Sequence, residues 1–256
     1  MRNDLLVLCY HAVSPSWPAD LSVTPDTLEH QVAELARRGY RGARFSDALS
    51  AGPEGRVVSI TFDDSYSSVL QLAKPILDRY GYPGTIFVPT DWPDGPCPMC
   101  WTGIDCWLDT PFESELSPLA WSELRELANA GWEVGSHTCS HPHLPELNEA
   151  TLTRELCDSK AHIEAEIGEP CVSLAYPYGD LNTHVINAAH ESGYRWACTI
   201  PRVLSSPRPL AWPRAAIYHD DNMRRFASKI SPSLRRLRAS HIGGWLDQAR
   251  LVLSRP

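Results

Sequence analysis

The sequence predicts an α/β fold built around a parallel sheet. Two observations carry this. Short apolar runs rich in β-branched residues alternate with amphipathic helical patterns, as βα repeats require; and 256 residues without an internal repeat suffice for one extensive core. Strands are expected at 5–9, 57–62, 85–88, 133–135, 172–175 and 196–199, with a weaker one at 215–218. The first helix opens at Thr24-Pro25, a capping hydroxyl followed by a residue that needs no N–H partner; it places Leu28, Val32 and Leu35 on one face and stops at Gly39. Further helices are expected near 67–80, 120–130, 149–167 and 183–192, the last ended by Gly193. Residues 89–118 show neither period and are dense in Pro, Trp and Cys, so they read as an inserted loop bordering a cleft. The expected organisation is a domain over 1–220 carrying this insert, then a basic, helical segment over 221–256.

Composition narrows the class of protein. The apolar run at the N-terminus, Leu5 to Tyr10, falls far below the roughly 18 residues of a spanning helix and is followed by no cleavage pattern, so a cytoplasmic location is expected. The eight cysteines are then expected to be reduced thiols. Charge is unevenly spread: residues 202–256 hold 11 Lys or Arg against 3 Asp or Glu, although the whole chain carries −8. The basic end either packs across the acidic body or offers 224–240 to an anionic membrane surface holding a lipid-linked sugar. No nucleic-acid motif accompanies it.

The chemistry concentrates in a few stretches. The strand at 57–62 ends in Asp63-Asp64, two adjacent carboxylates whose repulsion calls for a cation or a proton unless they simply cap a solvated turn. His137 and His141 follow another strand end in SHTCSH; if Ser136 starts a helical turn, a separation of four puts both imidazoles on one face with Cys139 pointing away. Exposed or core histidines are the alternative. AYPYG, 175–179, reads as a strand leaving the sheet through a turn.

TFDD, SHTCSH and AYPYG, in that order, resemble the motifs of the polysaccharide deacetylases of carbohydrate esterase family 4, the NodB homology domain, over roughly 5–220. The resemblance implies a distorted (β/α) barrel with its site at the C-terminal strand ends, and removal of acetyl groups from N-acetylated, less often O-acetylated, sugars. It makes Asp64, His137 and His141 the ligands of a divalent metal, Zn²⁺ first and Co²⁺, Mn²⁺, Ni²⁺ or Fe²⁺ as alternatives, and Asp63 the catalytic base. Tyr178, in the Pro177 turn, would supply a backbone N–H to the oxyanion.

Two roles stay open. The third motif of the family begins with an arginine that orients the base, where this chain has Ala175; Arg214 is either its replacement or a surface residue. The acid that protonates the leaving amine is assigned to His219, in an apolar-x-His setting, with His11 at the exit of the first strand as substitute. In the insert, Trp92, Trp101 and Trp107 are a stacking platform for sugar rings or ordinary packing, and Trp92 is taken as substrate-binding. Cys97 and Cys100, with Cys106 nearby, have the spacing of half a structural zinc site. The expected activity is therefore a metal-dependent N-deacetylase acting on a small or lipid-linked amino sugar; a catalytically impaired sugar binder and an O-deacetylase are the rival readings.

Overall fold

The computed structural model describes residues 4–52, 54–201 and 207–238. Eleven strands occur among them, β1 Asp4–Tyr10, β2 Ala12–Val13, β3 Ser22–Val23, β4 Arg41–Gly42, β5 Arg56–Phe62, β6 Gly84–Val88, β7 Glu133–Ser136, β8 Ser173–Ala175, β9 Trp196–Thr199, β10 Trp212–Pro213 and β11 Ala215–Ala216. The helices are α1 Pro25–Arg37, α2 Phe45–Ala51, α3 Lys74–Arg79, α4 Trp121–Asn129, α5 Glu149–Ile167, α6 Thr183–Glu191, α7 Met223–Lys229 and α8 Pro232–Arg238. The helix expected near 67–80 starts instead as a π-helical turn, Val69–Ala73, that runs into α3.

Nine strands form one wholly parallel sheet in the order β10-β9-β8-β7-β6-β5-β1-β11, with β4 added on β5. Its two ends belong to neighbouring segments of chain. β10 pairs with β9 and β11 pairs with β1, so a single residue, Arg214, carries the chain from one edge of the sheet to the other and nearly closes a barrel. The Arg214 N–H still donates to Thr199 on the β9 side, while Ile217 N–H already donates to Cys9 on the β1 side. A parallel sheet rolled this way buries both faces, which is why β5 and β6 read as continuous apolar runs.

Strand register decides what lies inside. Successive residues alternate between faces, and partners at one level share a face. Val7, Cys9, Ser59, Thr61, Thr85, Phe87, Gly135, Ala175 and Cys198 therefore point inward, and Asp63 and His137 extend the same parity past the strand ends. Val7, Phe87, Ala175 and Cys198 pack there with Phe45 of α2, apart from the larger core between sheet and helices. Gly135 is required by this packing: a Cβ would come within 2.5 Å of Ser173 Oγ and 2.6 Å of the Phe87 ring. Gly135→Ala should cost about 1–3 kcal/mol by overpacking, read as a fall of roughly 3–10 °C in the unfolding midpoint.

Local signals account for the helices. Thr24 caps α1 by accepting from Thr27 N–H, with Pro25 at the first position, and Asn148 and Asn182 cap α5 and α6 in the same way. Gly168 ends α5 in the left-handed region at φ 78. At the C-terminal side, Phe226 and Ile230 are buried in the main core and Arg235 pairs with Asp4, so the basic helices lie against the body as far as Arg235. The rest of the expected C-terminal segment, 239–256, falls outside the described residues.

Candidate active site

The C-terminal ends of β1, β5, β7 and β8 open into a cleft of about 300 Å³. Its walls include His11, Asp63, Asp64, His137, His141, Tyr178 and Tyr218, together with Trp101 to Ile104 of the insert. The site stands on three turns whose backbone is unusual. Asp64 and Ser65 after β5, Thr138 and His141 after β7, and Tyr178 after β8 all have φ between 57 and 70. None is glycine, and each left-handed residue of this kind costs about 1–2 kcal/mol. Such strain persists only where the surroundings hold it, so these turns are constrained in one arrangement.

Asp64, His137 and His141 present one ligand atom each, all within 4.8 Å of one another, and all three residues are buried. Asp64 Oδ1 lies 3.3 Å from His137 Nε2 and 3.5 Å from His141 Nε2. His137 Nδ1 donates to the Ala175 carbonyl at 2.7 Å, which leaves Nε2 of the neutral ring with a bare lone pair facing the carboxylate. Asp64 Oδ1 has no hydrogen-bond partner. Three buried ligand atoms thus converge, an arrangement that fits a divalent cation held by two imidazoles and one carboxylate. Burial disfavours a charged His137, but Asp63 and Asp64 outweigh it and raise its pKa; burial dominates at His141 and pushes it down to about 3.

The sequence reading expected the two histidines on a helical turn. Ser136 is instead the last residue of β7, and Thr138 and His141 turn the chain back through the left-handed region. Cys139 faces α5, where its N–H and that of Ser140 donate to Glu155. His141 is clamped between the Trp101 ring, stacked at 4.4 Å, and the Tyr178 ring, edge-on at 4.6 Å.

Asp63 stands beside this set without belonging to it. Arg214 donates to both its oxygens, at 2.7 and 2.6 Å, and to Thr61 Oγ1 at 2.9 Å. Arg214 is 2% exposed, so the guanidinium is an internal group of the barrel rather than part of a basic surface. Burial opposes ionisation of Asp63, but Arg214, helped by His137, overrides it and holds the carboxyl well below the usual carboxylate range. The Cys9 thiol also donates to Asp63 Oδ2 at 3.4 Å.

Other expectations separate. His219 is not among the cleft walls: its N–H donates to Asp20 and its ring Nδ1 meets the Ser22 carbonyl at 3.1 Å, which hold it against the segment leading into β3. His11 does face the cleft, with Nδ1 buried and unpartnered and a ring nitrogen within 4.8 Å of an Asp63 oxygen. Tyr178 lines the cleft, whereas Pro177 is buried beneath it and opens the turn Pro177–Gly179. Trp92 packs edge-on behind Trp101 at 5.5 Å instead of facing the cleft, and Trp107 packs on Trp17. Of the three tryptophans of the insert, Trp101 is the one that lines the cleft. Tyr218, absent from the sequence-based set, is a 39% exposed wall of the cleft; the only hint was its place at the end of the last expected strand.

Among the described residues, Cys97, Cys100 and Cys106 are exposed and belong to no group of metal-binding side chains. The pair Cys97→Ser and Cys100→Ser should leave metal bound per chain unchanged by elemental analysis; a loss of bound zinc would restore a loop site.

Comparison with known proteins gives these residues a context. Residues 50–197 match the polysaccharide deacetylase family. The protein YxkH of Bacillus subtilis (strain 168) is 27% identical over 200 residues, covering 76% of this chain and 64% of YxkH. The poly-β-1,6-N-acetyl-D-glucosamine N-deacetylase of Escherichia coli (strain K12) is 25% identical over 90% of this chain and 39% of its own. The chain thus spans less than two thirds of either relative. The Streptococcus pyogenes deacetylase PplD, solved in complex with acetate, has the same fold, with a TM-score of 0.73 over 89% of this chain and 98% of PplD at 23% identity. With the matched segment spanning β5 to β9 and both the carboxylate and histidine turns, the chain belongs to the polysaccharide deacetylase family.

Proposed function

We propose that the protein is a metal-dependent hydrolase that removes the acetyl group from an N-acetylated amino sugar. The observation that carries this reading is Asp63: a buried carboxylate, kept ionised by Arg214, beside a complete carboxylate and two-histidine set that does not use it. A sugar-binding protein that had lost activity would have no need of such a base. The missing arginine at Ala175, which favoured the impaired reading, is offset by Arg214 reaching Asp63 from the barrel seam.

Asp64, His137 and His141 would hold a divalent ion such as Zn²⁺, which would supply a Lewis acid for the acetamide carbonyl and for the attacking water. Asp63 takes the proton of that water. The backbone N–H of Tyr178 is the donor for the oxyanion that forms as water adds to the carbonyl. His11 returns a proton to the departing nitrogen, a role that His219 is turned away from serving. Trp101 and Tyr218 offer aromatic faces to the sugar.

The relatives named as poly-β-1,6-N-acetyl-D-glucosamine N-deacetylases make β-linked N-acetylglucosamine the first class to test. A small or lipid-linked glycoside in the cytoplasm is the narrower form of the proposal, with α7 and α8 approaching an anionic membrane. No helix among the described residues is long and apolar enough to cross one. Acetate release should be assayed with metal-reconstituted protein against β-1,6-linked N-acetylglucosamine oligomers, lipid-linked N-acetylglucosamine and O-acetylated sugars. Release from an N-acetylated member is expected. Release from O-acetylated sugars alone would replace the reading with an O-deacetylase. Chelation should abolish turnover yet lower the unfolding free energy by only about 3 kcal/mol, the linkage expected for a ligand at a hundred times its dissociation constant, because the barrel core is complete without it.

A further inference from the structure

His143, which the function proposed above leaves unused, sits at the junction of two strained turns. Its ring stacks on Tyr178 with centroids 3.9 Å apart and planes 12° from parallel. Its Nδ1 meets Asp180 Oδ2 at 2.9 Å. Asp180 closes the same turn as Tyr178, donating its N–H to Pro177, and His143 follows His141 by two residues. One side-chain pair therefore ties the turn bearing a candidate metal ligand to the turn bearing the candidate oxyanion donor.

Tyr178 needs such a tie. It holds φ 58 and ψ 2 without being glycine, and the neighbouring Gly179 lies so close to the Ile200 backbone that a Cβ there would come within 2.8 Å of Ile200 N. The Tyr178 hydroxyl donates to the Thr102 carbonyl of the insert, so the ring is fixed at its tip by that loop and along its face by His143. Tyr178 is 36% exposed, and burial alone does not hold it. We propose that His143, oriented by Asp180, is a positioning residue that holds Tyr178 in the conformation aiming its backbone N–H into the cleft. The inference rests on the deacetylase reading for its kinetic consequence, though not for its structural one.

The test uses His143→Ala and His143→Phe in the full chain, each also prepared with 3-fluorotyrosine at position 178. His143→Ala should lower kcat about 10- to 100-fold, part of what loss of one oxyanion donor costs, with KM within about twofold and bound metal unchanged. Beyond the shift that loss of the neighbouring ring itself imposes, the ¹⁹F resonance of residue 178 should broaden or split as Tyr178 leaves its single conformation. His143→Phe, which keeps a stacked ring without the bond to Asp180, should recover most of both. If His143→Ala does not fold, His143→Ser takes its place with the same readouts. A resonance as sharp and single as in the parent protein, an unchanged kcat, a matching rise in KM or a loss of bound metal would each overturn the proposal. Should the unmodified protein release no acetate from any substrate, the deacetylase reading fails, and the ¹⁹F resonance alone decides whether His143 holds Tyr178.

Discussion

Asp63→Asn is expected to lower acetate release by about 10²- to 10⁴-fold while leaving bound metal and fold intact. The amide is nearly the same size as the carboxylate and can still meet Arg214, but it has no charge with which to take a proton. Asp63 lies outside the Asp64, His137 and His141 set, so metal content by elemental analysis should match the parent protein. Retention of metal with loss of turnover separates a base from a ligand. Equal loss of both would make Asp63 a ligand and dissolve the division of labour drawn here.

Arg214→Met is expected to have the largest effect on stability. The substitution fills much of the same space but strands Asp63, which is 2% exposed, without its bidentate partner. Breaking a buried pair from one side costs about 3–5 kcal/mol, mainly the penalty of the charge left behind, which for a chain of this size is roughly 6–20 °C in the unfolding midpoint. Turnover should fall as well, since the carboxylate loses the group that orients it. Adding Asp63→Asn to Arg214→Met should recover part of the lost stability and none of the activity, because it removes the stranded charge and the base together. A single variant with full activity would make Arg214 a structural residue only.

The position of Arg214 also shows how far the sequence could be read. The strands at 57–62 and 196–199 and the helix at 149–167 were legible from apolar runs and caps, because burial of a parallel sheet and capping of helix ends are local demands. The carboxylate pair and the histidine pair were legible because residue type and spacing carry their chemistry. That Arg214 reaches Asp63 could be raised from sequence only as one alternative, since it depends on closure of the sheet: β10 and β11 lie at opposite edges although only Arg214 separates Pro213 from Ala215. Ala175 points inward in the cluster of Val7, Phe45, Phe87 and Cys198, and the Arg214 guanidinium lies over the Phe87 ring of that cluster.

Where the reading went astray, the cause was conformational. The helical turn at Ser136 followed from the spacing of two histidines, but nothing in Thr138 or His141 announces positive φ, since neither is glycine. His219 was placed by local pattern alone, and the loop of β2 and β3, too short to declare itself as strand, supplied the carbonyl that turns it away. Trp92 and Trp101 are equivalent as sequence; only packing decides that Trp101 covers His141 while Trp92 supports it from behind.

The central claim is that Asp64, His137 and His141 hold one cation beside an independent base. Its most direct measurement is metal bound per chain, by elemental analysis after reconstitution and removal of free metal, in the parent protein, His137→Ala and Asp63→Asn. One ion per chain is expected in the parent and in Asp63→Asn, and a large loss in His137→Ala, whose Nε2 is the ligand fixed by the Ala175 carbonyl. Full metal content in His137→Ala, or its loss in Asp63→Asn, would contradict the account.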